Sequence, residues 1–360
     1  MAGGPWLYAT SGTGNLSDVL TTIFADDITT AINRATVLPQ VLPVKSYSGK
    51  NIHWAVRFTN ASGYTNGGVA DGADIATFNS DTKVAANLEY TTYVEAVSVG
   101  GRAQAAAAQA GNPSELANLI GEEIGEAAQR LALAVATDFY TGTGASNKLQ
   151  GLYSATGTTY GGLMGSGTYA GVSRSSYSEW AANVITGTPS GTSRALTLDV
   201  MREMRRTIYT ACGEKPDLIV TDPIQFEKYA QLLGANRRYV QEVVMRGQRL
   251  TLDGGFMALE FDGVPILEDA LHPSGKMSFI NTRHVHIAQL PFARVMTNDA
   301  GEVMLAGTPE EQLGGGSIKL NAKIKHLAES GDALKLELLT YPQMVVRKPN
   351  ACGHIADLAS

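Results

Sequence analysis

The stretch LTLDVMREMRRTIYTACGEKPDLIVTDPIQFEKYAQLL, residues 196–233, carries the pattern on which the fold turns. Leu198, Met201, Met204, Arg205 and Ile208 recur at helical spacing. A short apolar run, Leu218-Ile219-Val220, ends in Thr221-Asp222 and is followed by Pro223. Phe226, Tyr229, Ala230 and Leu233 then form a second helical face, closed by Gly234. The reading is helix, strand, helix.

Asp222 raises a chemical question. In open α/β sheets, ligands sit just beyond the carboxyl ends of strands. A carboxylate on such a turn is a candidate catalytic group. The local pattern offers a plainer account: Asp222 as the helix cap, Pro223 at the first helical position, and Gln225 returning to the cap amide. That account uses every polar residue of the turn without a substrate. The expectation is a cap, with an α/β enzyme using the Asp222 region as the remote alternative.

Downstream, MALEFDGVPILED reads as a hairpin with Asp262-Gly263 as its tight turn. KMSFIN and HVHIAQL add strands, and SIKLNAKIKHLAESGDALKLELLTY gives two long alternating strands around residues 329–332. Upstream, NPSELANLIGEEIGEAAQRLALAVATDFYTG is the strongest helix. Asn112 suits the cap, Pro113 the first position and Glu115 a capping box. Leu116, Leu119, Ile120, Ile124, Ala127, Leu131, Ala134, Val135 and Phe139 fall on one stripe, and Gly142 ends it. About 28 residues at 1.5 Å each give roughly 42 Å, the length of a spine.

Before that helix, Ile52, Trp54, Val56 and Phe58 alternate with polar or small residues, and Lys83–Val99 forms a second extended run. Between them lies the glycine-rich ASGYTNGGVADGAD. The two runs predict a long two-stranded ribbon reaching about 30 Å. Such a ribbon is marginal alone in water, and the sequence offers it no obvious partner within the chain. Residues 1–48 read as an extended arm with one amphipathic helix, capped by Ser17 or Asp18 and carrying Val19, Ile23, Ile28 and Ile32. Pro39 and Pro43 are expected to enforce extended chain after it. Residues 142–194, rich in Gly, Ser, Thr and Tyr, read as loop.

The chain has 360 residues, 44% hydrophobic and 17% charged. The charged share lies below the typical ~25%, which suits a surface hidden against neighbours. The net charge is -6, without a basic stripe, so tight binding to nucleic acid through phosphate neutralisation is not indicated. Cys212 and Cys352 are far apart and suggest reduced thiols. No signal peptide is read at the start, and no window of about twenty apolar residues appears.

The common reactive motifs are missing: no Walker loop, no HExxH, no GxSxG. SGTGNLSD and TGTGASNK each hold GxG but lack the strand-to-helix context of a dinucleotide site. His284 and His286 share a strand face yet lack further ligands. Arg194, Arg202, Arg205 and Arg206, and separately Arg237-Arg238, read as solvated faces or ion pairs. Glu122-Glu123 and Asp26-Asp27 read as exposed, and Cys212 sits at the unfavourable end of its helix for a reactive thiolate.

The order of these parts resembles the major capsid proteins of tailed double-stranded DNA bacteriophages, the Hong Kong 97 fold. NPSELANLIGEEIGEAAQRLALAVATDFYTGTG with its following LQGLYS resembles the spine helix. Residues 196–233 resemble the helix, strand and helix of the axial domain. FDGVPILEDALHPSGKMSFIN and LELLTYPQMVVRKPNACGHI resemble the later strands and the carboxyl end. The resemblance implies an α+β chain: N-terminal arm 1–48; E-loop ribbon 49–92; peripheral domain 93–160 and 286–335 with its spine helix at 113–141; axial domain 161–285 and 336–360. It implies a structural subunit, not an enzyme, with no catalytic residues, no cofactor and no metal. The subunit would self-assemble as hexamers and pentamers into an icosahedral shell around the phage genome, touching neighbours through arm and E-loop. Portal, scaffolding or decoration proteins and weakly held DNA on the inner face complete the implied partners; no membrane is implied. The implied location is the virion, after assembly in the host bacterial cytoplasm. An encapsulin-type compartment on the same fold is the alternative. Two departures stand out: no long charged helical segment is read before the arm, so the expectation is a scaffolding domain that is cleaved or a separate scaffolding protein, and the ribbon tip between Gly63 and Asp74 lacks the cross-linking lysine of some relatives. Lys50 and Lys83 only flank it, so locking is expected to be non-covalent.

Overall fold

The computed structural model describes residues 37–47, 49–58, 71, 83–102, 104–105, 113–153, 167–187, 189, 191–233, 242–245, 248–251, 258–290, 295–297, 303–305, 323–327 and 332–359. The arm helix, the ribbon tip, the Asn112 cap, Arg237 and Arg238 lie outside them.

The described chain opens with a short helix, α1 (Leu38–Val41), that buries Val37, Leu38 and Val41. Pro39 was expected to hold extended chain. It sits instead in the first helical turn, where its missing N–H is no loss. β1 (Val44–Ser46) follows, then the ribbon strands β2 (Asn51–Arg57) and β3 (Lys83–Glu89), paired antiparallel from Asn51↔Glu89 to Arg57↔Lys83.

The ribbon departs from expectation in two ways. Its root has a partner within the chain: Ile52, Ala86 and Leu88 are buried in the core. Phe58 stacks on Tyr177 at 4.2 Å between centroids and meets Trp180 edge-on at 5.9 Å. The period of two gathered these apolar side chains on one face; their aromatic partners lie in the glycine-rich passage read as loop. Also, Lys83–Val99 is two strands, not one. The chain leaves the ribbon after Glu89, whose carbonyl accepts from Gln343 Nε2 at 2.7 Å. It then enters β4 (Tyr93–Gly100).

The spine helix α2 spans Pro113–Thr141, 29 residues. Ile120, Ile124, Ala127, Leu131, Val135 and Phe139 are buried, and Ala128, Ala132 and Ala136 join them, whereas Ala134 is exposed. Alanines let the helix lie close against β4. At its end, Gly142 and Gly151 face backbone carbonyls of Asp138, Phe139 and Leu149 so closely that a Cβ at either would collide with them. That is the physical content of LQGLYS after the helix. The loop passage holds a small hairpin, β5 (Thr168–Tyr169) and β6 (Val172–Ser173), a 3-10 turn at Ser178–Trp180, and β7 (Asn183–Ile185).

Helix α3 (Leu198–Cys212) starts at Thr197, whose side chain accepts from the Val200 amide, and stops at Gly213 in the left-handed region. β8 (Leu218–Thr221) and α4 (Pro223–Leu233) follow. Then come β9 (Glu242–Met245) with β10 (Gln248–Thr251), and β11 (Ala258–Phe261) with β12 (Val264–Glu268). The turn of the second pair is Asp262-Gly263, both at positive φ, as the tight hairpin requires. β13 (Met277–Ile280), β14 (Val285–Gln289), β15 (Val295–Thr297), β16 (Val303–Leu305), β17 (Lys323–His326), β18 (Ala333–Thr340), β19 (Pro342–Val346) and β20 (Gly353–Ile355) complete the strands.

Three sheets organise these elements. The largest is mixed, in the order β11-β12-β8-β13-β20-β7. Its residues alternate between two apolar clusters. Ile219, Ile266, Met277, Phe279 and Ile355 face α3 and α4, through Met201, Met204, Ile208, Phe226 and Tyr229. Leu218, Val220, Leu267, Ile280 and Cys352 face the cluster that holds the spine helix. A strand buried on both faces needs a continuous apolar run, and LIVT is that run. The second sheet, β17-β18-β4, packs on α2. The third, β1-β14-β19, receives β1 in parallel from the arm side.

Candidate functional site

The Asp222 turn is the first place to look for chemistry. Asp222 is 3% exposed at the end of β8. Its carboxylate lies 3.4 Å from Thr221 Oγ1 and 3.5 Å from Ser274 Oγ and accepts from the Gly275 amide. Burial pushes its pKa up, against the opposing pull of these donors. Gln225 does not return to the cap. Its Nε2 donates to Ala359 O at 2.6 Å, far away in sequence. The expected capping box is therefore replaced by a tertiary arrangement. The carboxylate ties the strand end to the turn before β13, and the glutamine ties α4 to the carboxyl end of the chain. The helix itself still begins at Pro223, with Phe226 N bonding Asp222 O at 3.1 Å.

This reading has a direct test. Asp222→Asn keeps an acceptor and removes a buried charge, so stability and assembly are expected to stay unchanged or rise slightly. Asp222→Ala strands several buried donors and is expected to cost about 1–3 kcal/mol in urea unfolding. Lost assembly in a folded Asp222→Asn protein would contradict the structural role.

The other candidate residues do not converge on one site, although Cys212 and His284 both contact Glu214. His284 Nε2 pairs with Glu214 Oε2 at 2.8 Å, whereas His286 Nε2 meets the Tyr47 hydroxyl at 2.6 Å. Among the described residues, no group of three or more His, Cys, Asp or Glu is placed to hold a metal. Arg202 pairs with Asp199 at 3.2 Å, Arg205 with Asp262, and Arg194 reaches Ile185 O. The basic cluster is thus mostly tied into ion pairs and backbone contacts. Cys212 stays beside its own helix end, where Glu214 N approaches its sulfur at 3.3 Å. Burial pushes the Cys352 thiol up to about 12, an inert state. Glu122 is exposed on α2, whereas Glu123, expected to be exposed with it, is half-buried. TGTGASNK forms a turn closed by Gly144 N to Leu149 O at 3.1 Å.

What the sequence missed is long-range polar locking. Glu214 takes hydrogen bonds from both His284 and Lys348 (3.0 Å). Burial pushes its carboxyl up, but those two partners outweigh it and hold the pKa down to about 2. Asp269 accepts from Val37 N at 2.9 Å, the Tyr140 hydroxyl at 2.6 Å and Leu271 N at 2.9 Å. It fastens the arm side and the end of the spine helix to the large sheet. No local period announces such residues.

A cleft of about 870 Å³ opens at the ribbon root. Asn87, Thr92, Asn147, Lys148, Gln150 and Gln343 are among its lining residues, and Asp222 is not. Amides and hydroxyls predominate in the lining, with the Lys148 ammonium and the Glu89 carboxylate as its charged groups.

No curated protein matches the chain. Its fold is similar to that of the cyanophage A-1(L) capsid, with a TM-score of 0.65 at 21% identity over 99% of this chain and 98% of that one. It is also similar to the capsid of a native GTA particle, with a TM-score of 0.50 at 13% identity over 89% of this chain and 90% of that one. The SrpI encapsulin of Synechococcus elongatus PCC 7942 matches with a TM-score of 0.50 at 10% identity over 89% and 86%. At such identities these likenesses establish the fold, which is Hong Kong 97-like. The sequence profile of the SU10 major capsid protein family matches residues 8–303. A long helix, a two-sided sheet and a ribbon thus meet a sequence match across most of the chain, and the chain belongs to the SU10 major capsid protein family.

Proposed function

We propose that this capsid subunit assembles as hexamers and pentamers into an icosahedral shell that encloses double-stranded DNA. The family match over residues 8–303 carries the reading. It makes the protein a structural, shell-forming subunit of a virion rather than an enzyme. In this reading the arm (1–48) and the ribbon (49–92) bind neighbouring subunits. The peripheral parts (93–160 and 286–335) and the axial parts (161–285 and 336–360) form the body of the shell wall. The outward ribbon face supports an interface role: His53, Ala55 and Arg57 on one strand, paired with Asn87, Ala85 and Lys83 on the other, are all exposed.

Portal, scaffolding and decoration proteins are the further partners of this reading, and assembly takes place in the host bacterial cytoplasm. Contact with DNA is weak, in keeping with a net charge of -6. Particle contents test the reading. Nuclease-protected DNA in purified particles is the expected result; particles filled with a cargo protein and free of DNA would favour an encapsulin-type compartment. Subunits are locked without covalent bonds. On a denaturing gel, boiled particles are expected to run as one band near 38.0 kDa, the mass of the chain. A ladder of covalent oligomers would contradict this.

A further inference from the structure

Beneath the end of the spine helix lies a buried aromatic and imidazole cluster that the capsid role does not use. His272, in the turn after β12, is 4% exposed, and His354, on β20, is 6% exposed. The Tyr153 ring stands between them, nearly perpendicular to both, with centroids 5.4 Å from His272 and 5.3 Å from His354. Tyr140 of α2 meets His272 edge-on at 5.3 Å. The Lys276 ammonium lies over the Tyr153 ring, 4.7 Å from its centroid.

The hydrogen bonds in this cluster have a direction. His272 Nδ1 lies 3.1 Å from Pro273 O, which can only accept, so Nδ1 carries the proton. His272 Nε2 therefore accepts from Ser278 Oγ at 2.9 Å. Ser278 Oγ in turn accepts from the Tyr153 hydroxyl in a close contact. The Tyr153 hydroxyl also lies 3.5 Å from His272 Nε2, and with a neutral imidazole both hydroxyl hydrogens find acceptors inside the cluster. A proton added at Nε2 removes the acceptor of the Ser278 hydroxyl and adds a donor, so one hydrogen of the cluster is left without an acceptor inside it. His354 Nδ1 has no hydrogen-bond partner, so a cation formed there has nothing to donate to.

We propose that Tyr153, His272 and His354 form an acid-sensitive latch, which holds the segment after the spine helix against the large sheet and releases it when the two imidazoles take up protons. The charged groups around it fit this role. Lys276, before β13, opposes a second positive charge at both histidines. Asp357, after β20, favours one at His354. Asp222 at the end of β8 acts on Tyr153, and Asp269 at the end of β12 is taken up by Val37, Tyr140 and Leu271.

Burial, with Lys276 adding to it, pushes both histidines down to about 3. An unfolded histidine titrates near 6.5. The neutral pair therefore contributes its full stability above about pH 6.5 and loses it as the pH falls from there toward 3. Glu214 acts lower, between about 4.5 and 2, and overlaps the histidine window only below about 4.5, so the interval from 6.5 to 4.5 lies above its reach. His286, in β14, is also pushed down to about 3, by burial and then by Lys45 and Arg347. It loads the same window, and the variants below leave it in place.

The test is an acid titration of the full-length unassembled subunit, followed by near-ultraviolet circular dichroism. A cooperative loss of tyrosine signal is expected with its midpoint between about pH 6.5 and 4.5. His272→Gln with His354→Gln is expected to lower that midpoint by about half a pH unit or more. Lys276→Met relieves the repulsion and is expected to move it in the same direction, and this variant decides the matter if the histidine variant fails to fold at pH 8. No transition above pH 4.5, or an unchanged midpoint in the folded variants, would overturn the latch. Because the subunit is measured unassembled, the outcome is independent of the shell.

Discussion

A chain ended at Cys352 is expected to be insoluble or unfolded, because β20 is an internal strand of the large sheet. It pairs antiparallel with β13 and parallel with β7. Its removal unpairs both neighbours and exposes the surfaces covered by Ile355 and Leu358, which are 0% and 5% exposed. Burying one such side chain contributes about 1.5–3 kcal/mol, and a domain holds only about 5–15 kcal/mol in total. The carboxyl end also supplies acceptors. Ala359 O takes Gln225 Nε2 at 2.6 Å and Lys228 Nζ at 2.5 Å. The Asp357 carboxylate takes the amides of Gly187 at 3.1 Å and Gly191 at 2.9 Å. A shorter deletion, after Ala356, leaves β20 in place and is expected to give folded but less stable protein. Circular dichroism and urea unfolding order the two deletions. A native-like subunit ending at Cys352 would contradict the sheet order.

The second large effect is at Asp269. Replacing it with alanine leaves Val37 N, the Tyr140 hydroxyl and Leu271 N without this acceptor in a buried site. Donors stranded in this way cost about 1–3 kcal/mol each. Asp269→Ala is expected to lower stability by about 3–5 kcal/mol in urea unfolding. Tyr140→Phe removes one donor and should cost less. The double variant should be less destabilised than the sum, because Tyr140 no longer needs its partner. A loss below about 1 kcal/mol for Asp269→Ala, or strict additivity, would show that the three donors find other acceptors.

The elements with strong local signals were legible in the sequence. The spine helix was bounded by Pro113 and Gly142, and α3, β8 and α4 followed from apolar spacing and from a strand apolar on both faces. Asp262-Gly263 announced its hairpin. Their order carried the family resemblance. The less legible parts depend on distance in sequence. The turn that receives Phe58 lies in a passage of Gly, Ser and Tyr with no period, so the ribbon root looked unsupported. Gln225 fits a capping box by spacing, yet its partner is Ala359, 134 residues away. Asp269 joins Val37 and Tyr140 across 232 and 129 residues. Local patterns place backbone elements, while single buried polar groups are placed by the packing of those elements, which no short window encodes.

The central claim is that this chain builds a shell, and negative-stain electron microscopy of the expressed protein tests it most directly. The account predicts closed shells, or rings of six and five subunits, across ordinary salt and pH conditions near neutrality. A protein that stays monomeric under every assembly condition, including high concentration and added crowding agents, would contradict it.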